Sequence, residues 1–172
     1  MPTEAQAAAS LVSAPQRASQ LLTFKLDDQE YALDIANVVQ VVRMVAVTRT
    51  PKAPAYIEGM VNLRGRVIPV IDLRKRCNLR LKPYDLNTQL LIARTQQHAM
   101  ALMVDVVSEV LTMPANSLEP PEQVGTVMQY VRAVGKLGDR LILILDPETL
   151  LADDDAGLNQ STDRISAGVA TC

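Results

Sequence analysis

The sequence predicts an all-β protein built as two small barrels with a few short helical turns, and three observations carry that reading. A glycine-framed turn feeding an apolar strand occurs twice; the apolar runs are short and rich in Val, Ile and Leu; and turn residues interrupt them at close intervals. The fuller copy is Gly59-Met60-Val61-Asn62-Leu63-Arg64-Gly65-Arg66-Val67-Ile68-Pro69-Val70-Ile71-Asp72-Leu73. The weaker one is Val134-Gly135-Lys136-Leu137-Gly138-Asp139-Arg140-Leu141-Ile142-Leu143-Ile144-Leu145-Asp146. Each runs from a turn through a basic residue and an apolar stretch to an aspartate, so Asn62, Gly65, Gly135 and Gly138 are read as structural turn residues.

The elements follow in order. Leu21-Leu22-Thr23-Phe24-Lys25-Leu26, a turn at Asp27-Asp28-Gln29-Glu30 and Tyr31-Ala32-Leu33-Asp34-Ile35 read as a β-hairpin. Residues 38–42 are β-branched around Gln40 and read as a strand. Thr50-Pro51 and Ala53-Pro54 hold the backbone extended before the glycine-framed unit, and Asp72 is placed to cap one helical turn over Leu73-Arg74-Lys75-Arg76. The second half repeats this order, with a strand at 89–93, a turn at Thr95-Gln96-Gln97-His98, strands at 100–104 and 106–111, a break at Pro120-Pro121 and the weaker copy.

An offset of 69 places Val38 over Val107, Gln40 over Glu109, Val41 over Val110 and Pro51 over Pro120. By the last strand the offset is 74, with Arg66 over Arg140 and Asp72 over Asp146. Four or five short strands per unit would expose edges unless each sheet closes, which points to two small barrels packed together. The expected layout is a flexible tail at 1–18, a folded region at 19–152 and a flexible acidic and polar tail at 153–172. The folded region divides into subdomains at roughly 21–82 and 88–150, with some strand exchange possible.

Composition bounds the function. The chain has 172 residues, 48% of them hydrophobic, one phenylalanine (Phe24) and no tryptophan, so its core must be aliphatic. No apolar stretch approaches the roughly 20 residues of a membrane-spanning helix, and the N-terminus lacks a secretory signal pattern, so a cytoplasmic protein without membrane insertion is expected. The net charge of −2 argues against wholesale nucleic-acid binding. Residues 21–82 nevertheless carry 11 Lys/Arg against 6 Asp/Glu, and residues 83–172 carry 5 against 12. Such a split suits partner-specific contacts, or simply two differently solvated faces.

Candidate chemistry is thin. Cys77 and Cys172 lack metal-ligand spacing, and a disulfide between them is not expected in a reducing compartment. His98 sits in a polar turn without an orienting carboxylate or nucleophile beside it, which reads as a solvated side chain. Asp72 and Asp146 could form a carboxylate pair but are placed to cap the turns that follow them. Gly59 and Gly65 fit no phosphate-loop pattern. No catalytic residue, metal or cofactor is predicted. Arg64, in the turn, is better placed than Arg66 for a specific hydrogen-bonded or interfacial role. The basic cluster Arg74-Lys75-Arg76 with Arg80 and Lys82 is either a single-strand nucleic-acid surface or a solvated, protein-facing patch; Tyr56 and Tyr84 are the only stacking rings near it.

The pattern through Tyr31-Ala32-Leu33-Asp34-Ile35, Val38-Val39-Gln40-Val41, Thr50-Pro51, Pro54, Gly59 to Gly65, Ile68-Pro69-Val70 and Asp72-Leu73-Arg74 resembles the chemotaxis coupling protein (CheW) family. It continues through Val104-Asp105-Val106-Val107-Ser108-Glu109-Val110-Leu111 and the closing glycine strand, so that the resemblance covers about residues 20–152. It implies two five-stranded, SH3-like barrels around a shared core, in a non-catalytic adaptor recruited to receptor arrays at the inner face of the membrane. The implied partners are the cytoplasmic tip of methyl-accepting chemoreceptors and the regulatory domain of a CheA-type histidine kinase. The receptor site of the family maps onto Val38, Gln40, Val41, Gly59, Arg64 and Val107. Two departures stand out: Gln40 replaces the family's usual glutamate, which can pair with the arginine matching Arg64, and Ala101 replaces a frequent glycine, which would narrow the groove.

Overall fold

The strands of this chain carry apolar side chains on both faces, and the topology shows why. A computed structural model describes residues 18–122 and 126–151; the tails expected at 1–18 and 153–172 lie outside the described residues, apart from Ala18. The first half supplies β1 (Ser19–Leu26), β2 (Gln29–Asp34), β3 (Val38–Arg43), β4 (Ile57–Leu63), β5 (Arg66–Asp72) and the short helix α1 (Leu73–Arg76). The second supplies β6 (Gln89–Arg94), β7 (Ala99–Val104), β8 (Val106–Met113), β9 (Leu118–Glu119), β10 (Val131–Leu137), β11 (Arg140–Leu145) and α2 (Pro147–Leu151).

Two sheets result, in the orders β8-β1-β2-β11-β10-β9 and β3-β6-β7-β5-β4. The expected halves at 21–82 and 88–150 are therefore not the two sheets. Each copy gives its first hairpin to the other: β1–β2 joins β8 to β11 in barrel I, and β6–β7 joins β3 to β5 in barrel II. The exchanged hairpins dock through the parallel pairs, β2 with β11 and β7 with β5. In both barrels one length of chain links the two edges. Thr48, just beyond β3, bridges Met60 of β4, and β9, just beyond β8, pairs with β10 through Glu119 and Val134.

Burial follows from this layering. Alternate residues of β1, β2, β6 and β7 point to one core between the barrels, among them Phe24, Leu26, Tyr31, Leu33, Leu91 and Leu102. Their neighbours point into a smaller core inside each barrel: Leu90, Ile92, Ala101 and Met103 in barrel II, and Leu21 and Ala32 in barrel I. A strand covered on both sides reads as a continuous apolar run. Burial of apolar surface stabilises by roughly 25 cal/mol per Å², so the shared core adds to the strand pairing that joins the copies.

The aspartate that closes each copy caps the helix after it. Asp72 Oδ1 accepts from the backbone N–H of Arg74 at 2.9 Å, and Asp146 Oδ1 accepts from Glu148 N–H at 3.0 Å. Their own N–H groups donate to Tyr56 O and Tyr130 O, both at 2.8 Å, which fixes the offset of 74 in this region. The bridges at Thr48 and Glu119 set an offset of 71 there, so Pro51 and Pro120 are not equivalent as the single offset of 69 suggested.

The turns also differ from expectation in two places. Arg64 (φ 52°) and Gly65 (φ 84°) form the two-residue loop between β4 and β5, both left-handed as a type I′ hairpin requires, and Asn62 Oδ1 accepts from Gly65 N–H at 2.9 Å. Gly138 (φ 59°) holds the position equivalent to Arg64 in the two-residue loop between β10 and β11. Gly135, however, lies within β10 rather than in a turn: a Cβ there would stand 2.5 Å from Met113 Sδ, so its role is to admit that side chain. In the first hairpin the loop is Asp27-Asp28 alone, because Gln29 and Glu30 already pair with Leu26 and Lys25.

Candidate functional site

β3 is an edge strand, and its side chains alternate. Val39, Val41 and Arg43 face outward, whereas Val38, Gln40 and Val42 are half-buried. Val38 packs on the shared core, and so does Val107 at the equivalent start of β8, so that the shared core reaches the surface at both places. Val41 is 38% and Val39 53% exposed, an apolar face with no cover among the described residues. The sequence-derived set thus divides between two faces of one strand: Val41 outward, Val38 and Gln40 inward.

Gln40 and Arg64 line one open groove of about 550 Å³ in barrel II, together with Arg66, Arg94, Val39 and Leu63. No hydrogen bond joins Gln40 to Arg64, and no carboxylate among the described residues stands within ion-pair distance of Arg64, Arg66 or Arg94. Gly59 offers no surface to this groove. It is buried, and a Cβ would lie 2.2 Å from Thr48 O, so the missing side chain lets the chain cross β4. Ala101 is fully buried in the core of barrel II, where its methyl group narrows no groove. His98 is half-buried rather than solvated; its backbone closes the β6–β7 turn against Thr95.

The basic cluster is dismantled by the fold. Arg74 is 5% exposed; its guanidinium donates to both oxygens of Asp27 (2.7 and 2.9 Å), to Asp105 Oδ2 (2.6 Å) and to Arg80 O (3.1 Å). Hydrogen bonding from Arg74 holds the Asp27 carboxyl below its ordinary value. Lys75 pairs with Glu58 at 3.0 Å. Arg76 lies over the rings of Tyr56 and Tyr130, 4.0 and 4.9 Å from their centroids, and its Nε donates to Leu150 O at 2.9 Å. Among the described residues only Arg80 and Lys82 of the cluster are exposed without an ion pair, since exposed Lys75 is held by Glu58, and Tyr56, the nearer stacking candidate, is buried. Sequence reading missed this centre because its partners are far apart in the chain. The paired tyrosines at an offset of 74 were the available signal.

Two packed barrels whose candidate residues lie on an edge strand, a turn and one open groove form a class of protein-docking module. The CheW-like domain family matches residues 20–155. Among relatives, the chemotaxis protein CheW of Klebsiella aerogenes is 33% identical over 141 residues, covering 81% of this chain and 85% of its own. That of Helicobacter pylori is 32% identical over 136 residues, covering 78% and 82%. Among solved structures, the scaffolding protein TtCheW of Thermoanaerobacter tengcongensis superposes with a TM-score of 0.74 at 36% identity, covering 78% of this chain and 92% of its own. The chain belongs to the CheW-like domain family, with the family's two SH3-like barrels. Its function is that of a chemotaxis coupling adaptor, and the nucleic-acid alternative finds no support.

Proposed function

We propose that this chain is a non-catalytic adaptor that couples the cytoplasmic tip of methyl-accepting chemoreceptors to the regulatory domain of a CheA-type histidine kinase. The family match across both barrels carries the reading. The chain acts in the cytoplasm at receptor arrays, and among the described residues no helix is long and apolar enough to cross a membrane. Receptor contact falls on Val38, Gln40, Val41, Arg64 and Val107, with Gly59 acting through the position of the Thr48 crossing. Kinase contact uses one barrel against a homologous barrel of the kinase, where the difference in charge between the barrels selects the orientation.

Pull-down with a receptor cytoplasmic fragment and with the kinase regulatory domain tests this, with binding to both at micromolar affinity expected. Binding to neither overturns it. Val41→Asp and Arg64→Asp are the informative variants, because both side chains are exposed and circular dichroism should be unchanged. Val38→Asp also disturbs the shared core and is the weaker test.

A further inference from the structure

The molecule contains its own control for the arginine groove. In barrel I, Arg140 follows the β10–β11 turn and is bound by two carboxylates: Glu30 (Nε at 3.1 Å and Nη2 at 3.2 Å) and Glu109 (Nη2 at 3.0 Å). Its counterpart in barrel II is Arg66, the first residue of β5 after the equivalent two-residue loop. The counterparts of the two acids are neutral. Glu109 corresponds to Gln40, as the flanking pairs Val107 with Phe24 and Val38 with Ala93 fix the register. Glu30 stands opposite Lys25 in β1–β2, just as Ala99 stands opposite Arg94 in β6–β7. Where barrel I holds one acid on each side of its arginine, barrel II holds an amide and a methyl group, and Arg64 adds a further cation where barrel I has Gly138. The β10 and β11 cations of barrel I all have carboxylates within ion-pair distance: Arg132 with Asp34, Lys136 with Glu119 and Arg140 with its two acids.

We propose that the groove formed by Gln40, Arg64, Arg66 and Arg94 takes an acidic, partly apolar segment of a partner protein, whose carboxylates occupy the places that Glu109 and Glu30 fill in barrel I. The inference rests on the adaptor reading and names the chemistry of the partner segment. Charge complementarity selects carboxylates, and the apolar residues between the arginines, Val39, Leu63, Ile68 and Ile92, select an amphipathic peptide over a bare anion. The groove has no Phe, Tyr or Trp on which a base could stack, which argues against a nucleic acid.

The test is fluorescence anisotropy of the full chain with a labelled amphipathic peptide of alternating Glu and Leu turns, and with the same peptide carrying Gln for Glu. The acidic peptide should bind at least about tenfold more tightly and weaken as salt rises. The double variant Gln40→Glu/Ala99→Glu restores the internal acids of barrel I and should lose that preference while circular dichroism stays unchanged; should it fail to fold, Arg66→Gln/Arg94→Gln serves instead. Equal binding of the two peptides, or full binding by the variant, overturns the proposal. Displacement of the peptide by an oligonucleotide or by inorganic phosphate at equal affinity also overturns it, making the groove a general anion site. A receptor fragment that binds wild type and double variant alike leaves the adaptor reading standing and removes this one. A fragment that binds neither removes the adaptor reading, while the peptide result still decides the groove.

Discussion

The two copies of the repeat hold their exchanged hairpins by the same device made of different chemistry. In the first copy, Arg74 of α1 grips Asp27 in the β1–β2 loop and adds Asp105 beyond β7. In the second, Glu148 of α2, offset by 74, accepts from the backbone N–H of Gln96 in the β6–β7 turn at 2.9 Å, and Gln96 is offset from Asp27 by 69. One fastening is a network around a buried guanidinium; the other is a single exposed hydrogen bond. What the copies share exactly in place are the capping aspartates and the Tyr56 and Tyr130 carbonyls they bond. Backbone and apolar pattern thus define the duplicated fold, and the charged side chains have diverged within it.

Breaking the fastenings should show that inequality. Arg74→Met leaves the Asp27 and Asp105 carboxylates facing each other and should cost on the order of 3 kcal/mol, the lower end for a broken buried pair because Asp27 is half exposed. Glu148→Ala should cost less than about 1 kcal/mol. Denaturant midpoints measure both, and equal losses would refute the division.

The exchange explains why the fold was only partly legible. Repeat, loops and capping aspartates are local patterns, and they could be read. The partner of each hairpin could not, because β1, β2, β6 and β7 are apolar on both faces and show no alternation to fix register or neighbour. The same exchange carries Asp27, Asp28, Glu30 and Asp34 out of the basic half into barrel I, and brings Arg94 into barrel II, so the barrels differ in charge more than the halves do. Arg74 and Arg76 looked like surface charge because their acids and rings are supplied by distant segments.

A second contrast lies at the bulges of β4 and β10. Gly59 pairs with Val70 and Ala133 with Ile144 in equivalent registers, so barrel I tolerates the methyl group that barrel II lacks. Gly59→Ala meets the Thr48 carbonyl and should cost about 2 kcal/mol, whereas Ala133→Gly should cost under about 1 kcal/mol. Thermal unfolding of the pair measures the difference, and a neutral Gly59→Ala would show that the Thr48 crossing yields.

The Arg74 network should also respond to acid. The folded-state value of Asp27 is depressed, so its stabilisation is present above the ordinary carboxylate value of 3.8 and is lost as pH falls through the lower folded value. Arg74 is charged throughout, so the loss belongs to the carboxylate. Asp27→Asn should flatten the melting temperature against pH below about pH 4, where wild type falls. Parallel profiles would remove Asp27 from the fastening.

The smallest effect should come at Cys77, whose counterpart at an offset of 74 is Leu151. Both are buried in the shared core, so the thiol stands where the other copy places a plain apolar side chain. Burial pushes its pKa up to about 12, which leaves almost no thiolate near neutral pH. In a Cys172→Ser background, an aromatic disulfide reagent at pH 8 should react with Cys77 only as the protein unfolds, and Cys77→Val should shift the denaturant midpoint by less than about 1 kcal/mol. Fast labelling of the folded protein would mean that α1 opens on its own, separating the first copy's helix from a core that Leu151 holds closed in the second.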